Sequence, residues 1–530
     1  MSTGQAAPPE ASWQPKHNRW AIALTVTLAT FMEVMDTSIA NVSLPHIAGG
    51  LSAGEDEATW ILTSYLVSNA VVLPISAWLA ERFGRKNFYM TCVALFTTSS
   101  FLCGLAPTLG LLVLFRVLQG VGGGGLAPSE QAILADTFPP QQRGMAFAMY
   151  GMAVVLAPTI GPTLGGYITD NFSWRWIFFV NVPVGVLSLY LSNRMVEDPP
   201  HLVRAREEAT RQGIDFMGLA MIGIALGSFQ VVADTGERHD WFASRQIVIL
   251  TIVTISLLIM FVFREWRQPH PVINLRLFKN RNFAVSTALM LSLGAVLYGS
   301  IVLIPQFLQL LLGYTAQLAG EVLSFGGFTI ILLMPIVGLL VSRIDPRYLI
   351  TCGFVVSGLA LIQLTHINLL IDFRTAMLWR VYQSVGMAFL FVPINTICYV
   401  GVPREQNNQV SGIVNLMRNM GGSIGISAVT TMLARQSQIH QHSLIANLYG
   451  SNLTLTARVG ALARHLHVRG ASSHTATLQA YREIYGMIER QAAVLSYVDI
   501  FGMMVIVCFA IIPLIFVAKR PQPDQASPNL

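Results

Sequence analysis

Residues 23–45 read ALTVTLATFMEVMDTSIANVSLP. A helix needs about 20 mostly apolar residues to cross the hydrocarbon core of a bilayer, and this run has them. It also carries two carboxylates, Glu33 and Asp36, one helical turn apart. Acids in hydrocarbon are costly, and where they occur they mark pathways and sites. Whether this is a membrane helix with working acids depends on the rest of the chain.

The rest has the same character. Of 530 residues, 53% are hydrophobic and 11% charged, and the mean hydropathy is +0.56. Soluble domains carry about 25% charge. Fourteen segments of spanning length follow one another, at 20–44, 58–80, 87–106, 109–134, 144–168, 175–195, 216–234, 246–263, 283–312, 320–341, 348–368, 376–400, 409–433 and 497–518. Their Gly and Pro interruptions are tolerated in membrane helices. This is an all-α polytopic membrane protein. With the N-terminus in the cytoplasm, Arg82, Arg85, Lys86, Arg143, Arg204, Arg206, Arg264, Arg267, Arg276, Lys279 and Arg281 fall at cytoplasmic ends and loops. The short outer loops then hold Arg175, Arg238, Arg245 and Arg374. That asymmetry sets the orientation and returns the C-terminus, with Lys519 and Arg520, to the cytoplasm. The net charge of +6 is therefore topology, not a nucleic-acid patch.

Several chemistries are excluded by pattern. Each of the four lysines is followed by a residue other than Ser or Thr, so no P-loop can cradle a nucleotide. Gly421-Gly422-Ser423-Ile424-Gly425 fits G-x-S-x-G, but it lies in an apolar helix without the strand-to-helix elbow or the triad that a hydrolase requires. Close helix packing explains it better. Cys92, Cys103, Cys352, Cys398 and Cys508 are scattered and form no C-x-x-C, which argues against a disulfide framework and a metal site. The first apolar run, from about Trp20, is too long for a signal peptide and lacks an A-x-A site. An outer segment, 436–495, is the one sizeable hydrophilic part. It holds His440, His442, His465, His467 and His474 without a recurring ligand spacing, and reads as a solvated, partly helical loop or a docking surface.

An internal repeat is visible. FRVLQGVG at 115–122 answers WRVYQSVG at 379–386, and each precedes a glycine-rich helix, GPTLGG at 161–166 and GGSIG at 421–425. Two related halves with a site between them near the midplane are the mark of many secondary transporters. The stretch AWLAERFGRK at 77–86 alternates acid and base around a Gly turn between the second and third segments. It reads as a solvated turn, or as a charge latch that breaks and reforms when bundles rock.

AERFGRK, RVLQG, GPTLGG and MDTSIANVSLP, in this order and topology, resemble the major facilitator superfamily, and FFVNVPVG at 178–185 and ADTGERHDWF at 233–242 resemble its fourteen-span drug:proton antiporters of the EmrB/QacA type. The resemblance covers essentially the whole chain. It implies an N-terminal six-helix bundle (1–195), a linker with two extra helices (196–275) and a C-terminal six-helix bundle (276–530) that includes the outer loop 436–495. It implies export of lipophilic or amphiphilic small molecules across the bacterial inner membrane, driven by the proton gradient with no other cofactor. EmrB-like exporters work with a periplasmic adaptor and an outer-membrane channel. The gating loop would be Glu81, Arg82, Gly84, Arg85 and Lys86, with Ala77 and Glu81 where the family has Gly and Asp. The antiporter motif would be Gly161, Pro162, Gly165 and Gly166, with Ala157 in place of an upstream Gly.

The intramembrane ionisable residues are Glu33, Asp36, Arg116, Glu130 and Arg418. Asp36 lies roughly 25 Å along the first segment, and Arg116 roughly 10 Å from the outer end of the fourth. In the family fold these helices are neighbours, so Asp36 and Arg116 are expected to pair, directly or through Gln119. The pair is either a static structural contact or a switch, because a carboxylate beside Arg stays ionised while one in apolar surroundings takes a proton. Glu33 and Glu130 have no assigned cation; each is a candidate proton carrier or counter-charge for a cationic drug. Gln119, Gln306, Gln309, Asn415, Arg418 and Asn419 are the expected polar lining of a substrate cavity, with Asn415, Arg418 and Asn419, one polar face of the thirteenth segment, alternatively holding a contact between the halves. The competing readings are a narrow-substrate exporter or proton symporter on the same fold, and, more remotely, a membrane enzyme or receptor.

Overall fold

The computed structural model describes residues 14–200, 202–203, 206–207, 215–268, 271–446, 453–469 and 471–519; Arg204 and Arg520 of the basic series lie outside them. No strand occurs among the described residues. The main helices are α1 (Arg19–Val42), α2 (Trp60–Phe83), α3 (Arg85–Leu105), α4 (Leu109–Gly123), α5 (Leu126–Thr137), α6 (Pro140–Asn171), α7 (Asn181–Met195), α8 (Phe216–Thr235), α9 (Arg245–Arg267), α10 (Arg281–Leu310), α11 (Ala316–Val341), α12 (Pro346–Leu364), α13 (Phe373–Cys398), α14 (Asn407–Ala446), α15 (Leu453–Val468) and α16 (Ser473–Ala510). Polar caps start many of them: the side chains of Asn18, Thr108, Asp215, Asn280, Thr315, Asp345, Asp372 and Ser472 accept from the first free amides of α1, α4, α8, α10, α11, α12, α13 and α16.

Thirteen helices among the described residues are long and apolar enough to cross a membrane. They match every expected segment except 409–433, which lies in α14. That helix carries Asn407, Asn408, Gln409, Asn415, Arg418 and Asn419 in its first turns, and it is kept inside by packing against α10 on one side and α2 and α5 on the other. The fourth segment carries one of the expected Gly interruptions, at Gly124-Gly125 between α4 and α5, and the two together make one span, Leu109–Thr137. One expectation needs correction. The outer segment 436–495 is not mainly loop. α14 has 40 residues and α16 has 38, each roughly 60 Å long, about twice the hydrocarbon core. Their ends project from the membrane together with α15, joined by Gln441 Nε2 to Tyr485 Oη at 2.6 Å and His440 to Asp499 at 2.7 Å.

The repeat in the sequence is a repeat in packing. In the first half, a Cβ on Gly122 of α4 would lie 2.6 Å from Phe96 N and 2.9 Å from Cys92 O of α3. In the second half, a Cβ on Gly386 of α13 would lie 2.5 Å from Ser357 N and 2.8 Å from Gly353 O of α12. One position inverts: Gly120 of α4 makes room for Ser68 of α2, whereas Ser384 of α13 occupies the room left by Gly326 of α11. Likewise Gly161 and Gly165 of α6 admit Ser38 and Ile39 of α1, and Gly421 and Gly425 of α14 admit Leu291 and Ala295 of α10. Small residues let helix backbones approach where lipid offers no hydrophobic drive to pack. Pro162 cannot donate to the Pro158 carbonyl, and Ser38 Oγ does so instead at 3.4 Å.

α8 lies on α2 through Gly223 and Gly227 against Val71 and Val67, and α9 pairs with α8. Arg264 of α9 pairs with Asp215, the cap of α8. α9 keeps Ile249, Ile252, Ile255, Ile259 and Phe263 exposed, the surface of a helix against lipid. The two halves meet through α6 on α11 and through α2 and α5 on α14.

Replacing Gly421 by Val should cost about 1–3 kcal/mol, because its Cβ would clash with the Leu291 carbonyl. Gly166→Ala, with open space around the site, should leave the melting temperature of the purified protein unchanged. Equal melting of the two variants would contradict this packing.

Candidate functional site

In the first half, Asp36 of α1 is the hub. Arg116 Nη1 donates to Asp36 Oδ2 at 2.6 Å, Gln119 Nε2 to Oδ1 at 3.0 Å, and Asn181 Nδ2 to Oδ1 at 2.6 Å. Arg116 also donates Nη1 to Gln119 Oε1 at 2.8 Å and Nε to the Ile61 carbonyl at 3.0 Å, and its guanidinium lies 4.3 Å from the centre of the Tyr65 ring. Both members of the pair are sealed, with side-chain exposures of 0% and 1%. A buried charge pair needs its remaining donors and acceptors filled, and four elements contribute here, leaving Arg116 Nη2 as the one guanidinium nitrogen without an acceptor. Gln119 is fully buried in this network, so it does not line a cavity; the reason is its Asp36 contact.

Glu33, one turn earlier, is different. It is half-buried, and it accepts from Asn69 Nδ2 at 3.1 Å and Tyr65 Oη at 3.3 Å. Neither is a cation, and no ion pair to Glu33 occurs among the described residues. Glu33 lies about 21 Å along α1, well within the span. Glu130 of α5 is fully buried; Thr27 Oγ1 donates to its Oε1 at 2.6 Å and its Oε2 has no partner.

A polar seam joins the halves on the side of the membrane where the chain begins. Arg85 pairs with Asp136 of α5 at 2.6 Å, and the other oxygen of Asp136 accepts from Asn407 of α14 at 2.6 Å. Glu81 accepts from Gln409 at 3.3 Å. Lys86 reaches the Asn193 carbonyl at 2.7 Å and its amide donates to Asp198 at 3.0 Å, while Arg82 lies 5.7 Å from the Trp78 ring centre. Gly84 turns the chain with φ +87, a conformation that disfavours any side chain. The stretch 81–86 thus touches α5, the end of α7 and, through Glu81, α14 of the other half. Deeper, Gln131 Nε2 donates to Asn395 at 3.2 Å, Asn415 Nδ2 to Gln131 at 2.7 Å, Tyr150 Oη to Asn415 at 3.1 Å, and Arg418 Nη1 to Tyr150 at 2.8 Å. Phe147 stacks on Tyr399 with ring centres 5.4 Å apart. Toward the opposite side, α6 and α11 meet again where Ser324 Oγ donates to the Thr159 carbonyl at 3.4 Å.

Asn415 and Arg418 therefore belong to the contact between halves, and Asn419 lies half-buried beside them. Gln306 is half-buried and Gln309 is exposed at the end of α10. Gly161 and Gly165 form the α1 contact, and Gly166 faces open space. Several residues of these networks are not singled out by the sequence, among them Asn69, Gln131, Asp136, Tyr150, Asn181, Asn395 and Asn407. The repeat itself carries the signal for Arg380, the counterpart of Arg116, and Asn181 sits in the quoted FFVNVPVG. No group of three metal-ligating side chains occurs among the described residues.

Asp36→Asn should strand the Arg116 charge and lower stability by about 3–5 kcal/mol. Glu33→Gln keeps an acceptor for Asn69 and Tyr65 and should stay within about 0.5 kcal/mol. Unfolding of the two purified variants compares them; a larger loss for Glu33→Gln would make it the structural acid.

Comparison with known proteins agrees with this architecture. The Major Facilitator Superfamily sequence profile matches residues 26–426. The multidrug export protein EmrB of Escherichia coli is 35% identical over 503 residues, covering 94% of this chain and 95% of its own. EmrB of Haemophilus influenzae is 38% identical over 429 residues, covering 81% and 83%. Among solved structures, the proton:xylose symporter XylE aligns with a TM-score of 0.57 at 14% identity, over 93% of this chain and 96% of its own, a likeness of fold alone. The chain belongs to the major facilitator superfamily, in its EmrB-type branch.

Proposed function

We propose that the protein is a multidrug exporter of the bacterial inner membrane, a drug:proton antiporter working by alternating access. Glu33 carries this reading. It is a half-buried carboxylate inside a membrane helix, held only by neutral donors, one turn from an acid locked to Arg116. A fixed ion pair next to a free acid separates two tasks: Asp36 holds α1, α4 and α7 in register, and Glu33 exchanges a proton as its surroundings change. Glu130 is the second candidate carrier. The relatives named as multidrug export proteins supply the substrate class, lipophilic or amphiphilic small molecules.

In this reading both termini are cytoplasmic, and the seam from Glu81–Gln409 and Asp136–Asn407 to Tyr150–Asn415 closes the cytoplasmic side. Proton uptake from outside neutralises Glu33, the bundles rock, the seam opens, and drug enters from the cytoplasm as the proton leaves. The seam is polar and modular, so its hydrogen bonds can be exchanged for water when it opens. The projecting helical ends around α15 are where a periplasmic adaptor docks and, through it, an outer-membrane channel. The cycle makes and breaks no covalent bond, so the protein is a transporter and not an enzyme.

In inside-out vesicles with an acidic lumen, adding a cationic dye such as ethidium should drive protons out of the lumen for the wild type, and Glu33→Gln should abolish that flux. Unchanged proton coupling in both Glu33→Gln and Glu130→Gln sinks the assignment. Protons moving in the same direction as the dye would establish a symporter instead.

The seam has its own test. Cysteines at Glu81 and Gln409, in a background lacking the exposed Cys352, should crosslink on oxidation and stop transport until reduced. Full transport by the crosslinked protein would remove the seam from the cycle.

A further inference from the structure

The stretch ADTGERHDWF at 233–242 turns the chain between α8 and α9, at the end of the membrane span away from the Glu81–Gln409 seam. Asp240 and Trp241 both sit in the left-handed region, with φ +51 and +52. Bulky residues rarely adopt it, and such a backbone persists only where its surroundings fix it. Gly236 leaves the space that the Trp241 ring fills; a Cβ there would lie 2.9 Å from the ring. The indole Nε1 then donates to Thr431 Oγ1 of α14 at 3.0 Å.

Gln230 of α8, 6% exposed, makes a second contact of this kind. Asp234, one turn on, accepts from its Nε2 at 3.0 Å. An amide whose NH2 is taken in this way presents its oxygen on the other side, and Ser423 Oγ of α14 donates to it at 3.0 Å. The serine of GGSIG is thus a partner of the α8–α9 hairpin.

The hairpin is fastened differently to the two halves. On the first half, Gly223 and Gly227 bring α8 onto Val67 and Val71 of α2, and Arg238 Nη1 donates to Thr59 Oγ1, just before α2, at 3.0 Å. On the second half, Trp241–Thr431 and Gln230–Ser423 are neutral hydrogen bonds that water can replace. Nearer the seam, α2 and α14 touch directly: Ser76 Oγ lies 3.8 Å from where a Cβ on Gly412 would be. The same two helices are therefore joined directly at one end and through the hairpin at the other. Opening the seam by rocking changes the spacing of their far ends, so a hairpin carried by α2 cannot hold α14 in both arrangements.

We propose that the α8–α9 turn is a clasp between the halves, made by Gln230 and Trp241 while the seam is closed and released when it opens. The two are positioning residues for the transport cycle. This rests on the alternating-access reading above and gives the two extra helices a part in it, since contacts made in one state only favour that state.

The test reads seam opening without transport. Ser76 is 1% exposed and faces α14 at Gly412, so Ser76→Cys, in the full chain lacking Cys352, should react with a polar maleimide only when the seam opens. In nanodiscs, Trp241→Phe, which keeps a ring and loses the donor, and Ser423→Ala should each speed this labelling about fivefold, the worth of one hydrogen bond. Cys92 and Cys103, buried inside the first half, report unfolding and should stay unlabelled throughout. Unchanged or slower Ser76→Cys labelling in either variant overturns the clasp. Faster labelling matched at Cys92 and Cys103 is loss of the fold and overturns it too. Ser76→Cys that stays unlabelled in every variant means a seam that does not open, and the alternating-access reading falls with the clasp; labelling that proceeds but ignores both variants fails the clasp alone.

Discussion

A guanidinium inside a membrane protein must be answered, and how Arg116 is answered organises the first half. Its Nη1 reaches Asp36 on α1 and Gln119 on its own helix, its Nε reaches Ile61 on α2, and Asp36 draws in Asn181 from α7. Four helices are thereby fixed at one depth by a single charge pair. The glycines come second in this logic. Gly120 and Gly122 of α4 bring α2 and α3 close, and Gly161 and Gly165 of α6 bring in α1. Polar groups set the register, and small residues permit the approach that the register requires.

The contact between the halves is built otherwise. Its polar bonds run mostly between amides, hydroxyls and carboxylates, with Asp136 shared by Arg85 of one half and Asn407 of the other, and with one cation, Arg418, donating to the Tyr150 hydroxyl. Such bonds are individually modest and have ready substitutes in water, so a seam of this kind can open without breaking an ion pair. The ion pair Arg116–Asp36 lies within one half and is sealed from solvent. Rigidity is placed inside the bundle and exchangeable contact between bundles, which is the division a rocking motion requires.

Much of this was legible in the chain because it follows from short-range rules. Apolar length places the spans, the basic residues show their alternation, and two charges at matched depths on neighbouring helices point to Asp36–Arg116. The glycine pairs were visible as G-x-x-x-G spacing. What the sequence hides depends on partners far apart in the chain. Asp136 looks like a loop acid until α5 is laid beside Arg85 and Asn407. Gln119 reads both as a bridge between Asp36 and Arg116 and as a cavity residue, and only its full burial against Asp36 decides for the first. Residues 436–495 read as loop because their polarity, judged against a membrane, obscures helices that run on into water.

The comparison of the halves carries the argument furthest. Duplication copies a fold, and with it every buried polar group that the first copy needed. Each such group in the second copy must then be kept with its partner, removed, or given a new one. Ser384 facing Gly326, where Gly120 faces Ser68, shows the steric bookkeeping preserved with the roles exchanged. At the arginine site the steric part is preserved as well, and the acid is gone. Replacing Arg380 by an apolar residue would have relieved the unpaired charge at once. Its retention beside Gln383 keeps the residue pair while Ser300 stands where the first half has an acid, so the second half carries a buried guanidinium with no ion pair among the described residues.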